Sequence, residues 1–357
     1  MTLSTYVQAS NKSNLLQDIG SFAITVIPIA GLTFLLLSSQ AIGVSFILSV
    51  VVFPLLTLFQ CRLILIIHEL GHQSLFTSSW ANCLAGLLAS TLTLVPVKYT
   101  ANAHSVHHQF NGNWAMYKGP MYVVEVDVFE SFKTRSRFLY LLTRRLELIW
   151  ITAVLQNLII PRLRLFRLKK TNSIDPIQLD SLGANLFNAL IYNSQYLPMR
   201  TAELIDTLLA TFFGGLCLYY LACNSLITAL IYGMSIILSL SIVTIIFHVN
   251  HNFPGSYATT FARWDKRRVI IEGTSNIVWN PIFHWFTLNF GFHQMHHANP
   301  GLHFTQLSKQ SCQDIDVKSH TLLRLRDFPN CFRYILWSAS KETFITFEDS
   351  CQGMNDT

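Results

Sequence analysis

The run from Ile19 to Cys61, IGSFAITVIPIAGLTFLLLSSQAIGVSFILSVVVFPLLTLFQC, contains no Asp, Glu, Lys or Arg. About 20 apolar residues cross a bilayer as a helix, so a charge-free run of this length holds a helical hairpin rather than a single span. Its apolar halves, about Gly20–Leu37 and Val44–Ile67, flank the uncharged turn SSQAIG at 38–43. A second charge-free block, Thr207–Ala262, divides the same way into about Thr207–Ala222 and Leu226–Phe247, turning at 223–225. Each hairpin returns the chain to the side from which it left. The expected fold is therefore an all-α integral membrane protein, multi-pass, with four transmembrane helices in two hairpins. Segments 68–206 and 248–357 then share one compartment as a helical cap.

Composition agrees with this reading. The 357 residues are 51% hydrophobic and 12% charged, with a mean hydropathy of +0.38. A soluble domain carries about 25% charge, and disorder needs low hydrophobicity with high charge, so both classes are excluded. Seven cysteines form no CxxC pair, which removes a thiolate zinc site and a disulfide scaffold. Only Lys12 is basic before the first span, and the apolar stretch exceeds a signal-peptide core, so an uncleaved first helix is expected. Ten of the 25 basic residues lie between Lys133 and Lys170 against one acid, Glu147. Beside membrane spans such a run marks the cytoplasmic side rather than a nucleic-acid site.

Two further apolar stretches are read differently. Asn82–Val97 is short and closed by Pro96, which predicts a buried or re-entrant segment. Phe138–Ile160 is interrupted by Arg144, Arg145 and Glu147, which predicts an amphipathic helix on the membrane surface. The domain plan is a polar N-terminal segment at 1–19, a membrane domain at 20–310 and a C-terminal cytosolic tail at 311–357.

Ten of the 13 histidines fall into four clusters that follow the hairpins: HELGH at 68–72, HSVHH at 104–108, HVNH at 248–251 and HQMHH at 293–297. Chance would supply roughly 0.02 HxxHH matches in a chain of this composition, so two are no accident. Helix positions i, i+3 and i+4 share a face, so each cluster aims two or three imidazoles at one place. The metal candidates are His68, His72, His104, His107, His108, His248, His251, His293, His296 and His297. Imidazole binds divalent iron, copper, nickel or zinc, and so many ligands exceed what one ion takes. Read alone, HELGH is the zinc-peptidase motif with Glu69 as general base, and it resembles the intramembrane zinc metalloproteases. That family's third ligand, an Asp in a later span, has no match here, and the other eight clustered histidines would go unexplained. A histidine-rich metal transporter would place ligands inside the spans, whereas these clusters lie at span ends.

Taken together, HxxxH, HxxHH and HxxHH in this order resemble the membrane fatty-acid desaturase superfamily, over roughly residues 20–310. The stretch GFHQMHHANPGLHF at 291–304 is similar to that family's third-box neighbourhood. The resemblance implies a non-haem centre of two iron ions and O2 as co-substrate. It implies a double bond introduced into a fatty acyl chain carried on lipid, CoA or carrier protein. It also implies one additional histidine before the third box, with His248 the first choice and His251 the alternative. Glu69 is expected behind the ligands, orienting an imidazole N–H, with Asn250, Asn252 and Asp265 as weaker candidates for such support. The sequence NGNW at 111–114 departs from the family in its scarcity of acids.

His284, His303 and His320 are read as structural. The spans would anchor the protein in lipid and wall a narrow apolar tunnel, with Trp80, Trp114, Trp264, Trp279 and Trp285 as lining candidates. No HPGG stretch of a fused cytochrome b5 and no iron–sulfur cysteine pattern occurs, so a separate ferredoxin or cytochrome b5 is expected to supply electrons. The basic run 133–170, with Arg162, Arg164 and Arg167, would be its landing surface. Hydroxylation, ketolation or acetylenation of a lipid or carotenoid is the alternative outcome within the same superfamily.

Overall fold

The computed structural model describes residues 15–40, 45–113, 123–142, 144–165, 200–259, 263–311, 321–338, 341 and 343–347. Helices α1 (Leu15–Gln40) and α2 (Ser45–His72) fill the first charge-free block and pack along each other. Pro28 and Pro54 lie inside them, which membrane helices tolerate because neighbouring groups satisfy the freed carbonyls. The hydroxyls of Thr25, Thr33 and Thr57 donate to carbonyls one turn back, hiding their polarity.

Helices α3 (Ser79–Thr93) and α4 (Val97–Phe110) meet at a bend of 101°, the form of a broken span or re-entrant loop. The bend is stable because the carbonyls exposed at the end of α3 find donors. Leu94, in the left-handed region at φ 60°, ends the helix and Pro96 prevents its continuation. The Leu92 carbonyl accepts from the Tyr232 hydroxyl at 2.7 Å, and the Leu94 carbonyl accepts from Arg162 at 2.7 Å. The other side of the bend is capped by an acid: the Lys98 N–H donates to Asp206 Oδ2 at 2.7 Å, at the positive end of α4.

A short strand β1 (Val124–Glu125) leads into α5 (Val126–Ser131) and α6 (Thr134–Leu142). Helix α7 runs from Leu146 to Leu165 with a π turn at Leu155–Ile159. It is long and apolar enough to cross a membrane, so the described residues hold five such helices where four were expected. The reason is local: Arg144 and Arg145 precede the helix and Glu147 opens it, so the charges fall at its start and 148–161 is charge-free. Helices α8 (Thr201–Asn224) and α9 (Leu226–His251) form the second hairpin, with Ser225 capping α9 through the Thr228 N–H at 3.1 Å. Helix α9 packs chiefly against α2, which sets the ends carrying HELGH and HVNH side by side.

Beyond α9 the described elements are α10 (Lys266–Glu272), β2 (Asn276–Ile277), α11 (Pro281–Phe286), α12 (His293–Ala298), α13 (Phe304–Ser311), β3 (Leu322–Leu323), α14 (Phe328–Cys331), β4 (Tyr334–Ser338) and β5 (Thr343–Thr346). Strand β4 pairs parallel with β1 and antiparallel with β5, and β2 pairs parallel with β3. The described part of the expected C-terminal tail is packed in place. Leu323, Phe328, Cys331 and Phe332 join the main core with α2 and α9, and Trp337 is fully buried.

Candidate metal centre

Four elements bring the histidines together. Helix α2 ends in His68 and His72, α4 carries His104, His107 and His108 in its last two turns, α9 ends at His251, and α12 supplies His293, His296 and His297. The approach of α4 to α2 depends on Gly71, within HELGH. A Cβ there would stand 3.0 Å from Ala101 Cβ and 3.3 Å from its Cα. Gly71→Val is therefore expected to push α4 away, destabilising the fold by roughly 1–3 kcal/mol and lowering metal content. Parallel measurement of thermal unfolding and metal per chain checks this.

The nitrogens form two groups. His68, His72, His104, His108 and His296 make one, and His107, His251, His293 and His297 the other; within each, the ligand atoms lie within 4.8 Å of one another. In the first, Nε2 of His104 is 2.8 Å from Nε2 of both His68 and His108, and His108 Nε2 is 3.0 Å from that of His296. In the second, Nε2 of His251 is 3.0 Å from that of His107 and 2.9 Å from that of His293, and the His107 and His297 atoms are 3.2 Å apart. The two groups touch: the His108 and His297 rings are 4.3 Å apart.

Protons alone cannot satisfy this arrangement. Each Nε2 presents either one proton or one lone pair. His68 Nδ1 faces Glu69 Oε1 at 3.0 Å and donates its proton there, which leaves its Nε2 a lone pair. Neutral imidazoles can then make at most two of the three contacts from His68 through His104 and His108 to His296 as hydrogen bonds, because the single proton on His104 Nε2 cannot serve both of its neighbours. His72 Nε2, also buried, has no hydrogen-bond partner among the described residues. A central cation would satisfy each of these nitrogens as a lone-pair donor.

Burial, with the neighbouring imidazoles, holds His293, His296 and His297 well below the ordinary value of 6.5 and keeps them neutral, as ligands must be. In the metal-free protein the unfolded chain binds protons below about pH 6.5 that the folded chain refuses. Stability therefore falls as pH falls, by up to about 1.4 kcal/mol per group per pH unit. Unfolding temperature of metal-free protein between pH 7.5 and 5.5 is expected to drop with acid, and to drop less when His293 and His297 are both replaced by glutamine.

The surroundings sort the remaining sequence candidates. Glu69 is fixed on its far side by Ser74 Oγ at 2.8 Å. His251 Nδ1 lies 3.2 Å from both the Gly273 carbonyl and the Asn111 amide nitrogen. Glycine is required at 273, where a Cβ would stand 2.7 Å from the Tyr257 carbonyl. His248, the first choice for the additional histidine, is in neither group. It stacks on Phe332 at 4.1 Å, while His251, three residues on, turns toward His107. Asn250 and Asn252 are buried, but their side chains make no hydrogen bond to any described histidine. Asp265 is a helix cap, accepting from the Arg267 and Arg268 N–H groups at 2.7 and 3.2 Å. His284 stacks on Phe292 and His303 faces Asp18, and neither belongs to the two groups. His320, Trp114 and Arg167 lie outside the described residues.

Of the tryptophans, Trp80 is exposed, Trp264 donates to the Asn111 carbonyl at 2.9 Å, Trp279 packs on Phe283 and Phe328, and Trp285 lies under Arg62. Phe247 and Phe290, not singled out in the sequence, are the aromatic rings beside the histidines. Both contact His68 and His293. Ser74 and Gly273 were equally silent, each near a box or helix end in sequence but of ordinary type, whereas Asn111 lies in the NGNW stretch singled out for its lack of acids.

Residues 45–326 match the family model described as fatty acid desaturase. The chain belongs to the fatty acid desaturase family. It is also similar to a protein of Bacillus subtilis (strain 168) named fatty acid desaturase, 24% identical over 350 residues that cover 97% of this chain and 89% of that one. A desaturase is an oxidoreductase enzyme, and the two buried histidine groups are where this desaturase could hold metal ions.

Proposed function

We propose that this desaturase holds two iron ions and uses O2 with external electrons to introduce a double bond into a fatty acyl chain. The observation that carries the reading is the division of nine imidazoles into adjacent groups of five and four, with ligand nitrogens within 4.8 Å of one another in each group. When bound, the iron pair supplies the dioxygen-derived oxidant that removing hydrogen from an unactivated methylene requires, which no side chain can provide. The ligands in this reading are His68, His72, His104, His108 and His296 at one ion and His107, His251, His293 and His297 at the other.

The chain's own residues do the positioning. Glu69 accepts the His68 Nδ1 proton and so turns Nε2 inward, and the Gly273 carbonyl does the same for His251. Phe247 and Phe290 present an apolar wall beside both groups, against which a methylene chain rests with water excluded. This arrangement also disfavours the zinc-protease reading of HELGH: Glu69 is committed to His68 and Ser74, and His68 and His72 share their site with three further histidines.

We place α1, α2, α8 and α9 across the membrane as two hairpins, with the histidines on the cytoplasmic side, following the concentration of basic residues at 133–170. Electrons come from a separate carrier. Arg162 is engaged inside, donating to the Leu94 and Leu158 carbonyls at 2.7 and 2.8 Å, and Arg144 stacks over Tyr140 at 3.8 Å. The landing surface therefore contracts to exposed cations such as Lys133 and Arg135.

The direct test is expression in a host with a simple lipid profile, with fatty acids analysed for new double bonds. A new unsaturated species supports acyl desaturation. Hydroxylated or ketolated lipid in its place supports the related oxidations of the superfamily, and an unchanged profile with a working electron donor refutes the acyl reading.

A further inference from the structure

The charge-free run Ile19–Cys61 is bounded by Asp18 on α1 and Arg62 on α2, and neither boundary charge faces water: they are 1% and 2% exposed. An ionisable group inside an apolar helix pair is costly and is retained where it holds something. Each reaches out of the hairpin to the polypeptide around the third histidine box, on opposite sides of it.

Arg62 has no carboxylate partner among the described residues. Its Nε donates to Thr25 Oγ1 at 2.9 Å, a terminal nitrogen donates to the Trp285 carbonyl, and its guanidinium lies 4.0 Å from the centre of the Trp285 ring. Trp285 and Phe286 in turn pack edge-on to Phe59 of α2. Asp18 Oδ1 lies 3.3 Å from His303 Nε2, an electrostatic contact without hydrogen-bond alignment. His303 Nδ1 is 2.7 Å from the Thr305 hydroxyl and also lies toward the Thr305 N–H, so Nδ1 accepts and the ring proton sits on Nε2, facing Asp18.

Between Trp285 and His303 lies α12, six residues long, which is too short to hold its own shape. The chain enters it through Leu288 and Asn289, both at positive φ (50° and 58°), a conformation such residues keep only when their surroundings enforce it. We infer that Asp18 and Arg62 are positioning residues that brace the third box from both ends, fixing where His293, His296 and His297 stand. The inference rests on reading the histidines as a metal centre.

The test uses full-length protein, purified without oxygen and loaded with ferrous iron. Iron per chain, the Mössbauer spectrum of the bound iron and the unfolding temperature of the metal-free form are measured for wild type, D18L, D18N, R62M and R62K. D18L and R62M are expected to hold less than a third of the wild-type iron, with an altered spectrum. D18N is expected to recover most of it, because the Asn side chain keeps the shape of Asp18 and a polar oxygen facing His303. R62K is expected to behave like R62M, since an ammonium neither stacks on Trp285 nor spans Thr25 and the Trp285 carbonyl together. If D18L and R62M do not fold, D18N and R62K decide by the same contrast. Wild-type iron content and spectrum in R62M and D18L, or in R62K, would overturn the inference. So would iron loss that merely follows unfolding temperature through all variants. A wild-type protein that takes up no iron would instead refute the metal-centre reading itself.

Discussion

Replacing His296 by alanine is expected to reduce double-bond formation at least about 100-fold while the protein still inserts and folds. His296 meets His108 at 3.0 Å, and its ring also packs against His68, His72 and Phe290. The substitution removes one of five nitrogens from its group and opens a space that water can enter. Comparing the fatty-acid profiles of cells expressing equal amounts of wild type and variant measures the effect. A profile close to wild type would mean that His296 is a packed core residue.

The second large effect is a contrast between neighbours. His251→Ala is expected to reduce activity as severely as His296→Ala, because Nε2 of His251 lies within 3.0 Å of both His107 and His293. His248→Ala is expected to leave bound metal and activity within about a factor of three. Its cost is loss of the stack on Phe332, roughly 1–3 kcal/mol of stability. Metal content and unfolding temperature measured on both variants separate the two roles. The reverse pattern, with His248→Ala losing metal and His251→Ala keeping it, would reassign the ninth imidazole.

That pair also shows where sequence reading stops. The charge-free blocks announce membrane helices because an unpaired charge is so costly in lipid, and the box spacings announce convergent imidazoles because the helix repeat is fixed. Both are local properties. The choice between His248 and His251 is not, since both are buried on the same end of α9. It is decided by Phe332, more than eighty positions away, which occupies the face that His248 presents. Asp265 likewise reads as an acid near a box until the N–H groups of Arg267 and Arg268 are seen to claim it. The stretch 138–160 shows a related limit: periodicity gives polar interruptions but not the residue at which a helix starts, and here the start leaves Arg144 and Arg145 outside a helix long and apolar enough to cross a membrane. Glu69 needed only its place in HELGH to be suspected, whereas Asp18 and Arg62 were visible only as the edges of an apolar run.

Metal analysis of protein purified without oxygen tests the account most directly. Two irons per full-length chain are predicted, falling when His72 or His293, one from each group, is replaced by alanine. A single zinc per chain that survives replacement of His293 and His297 would contradict it.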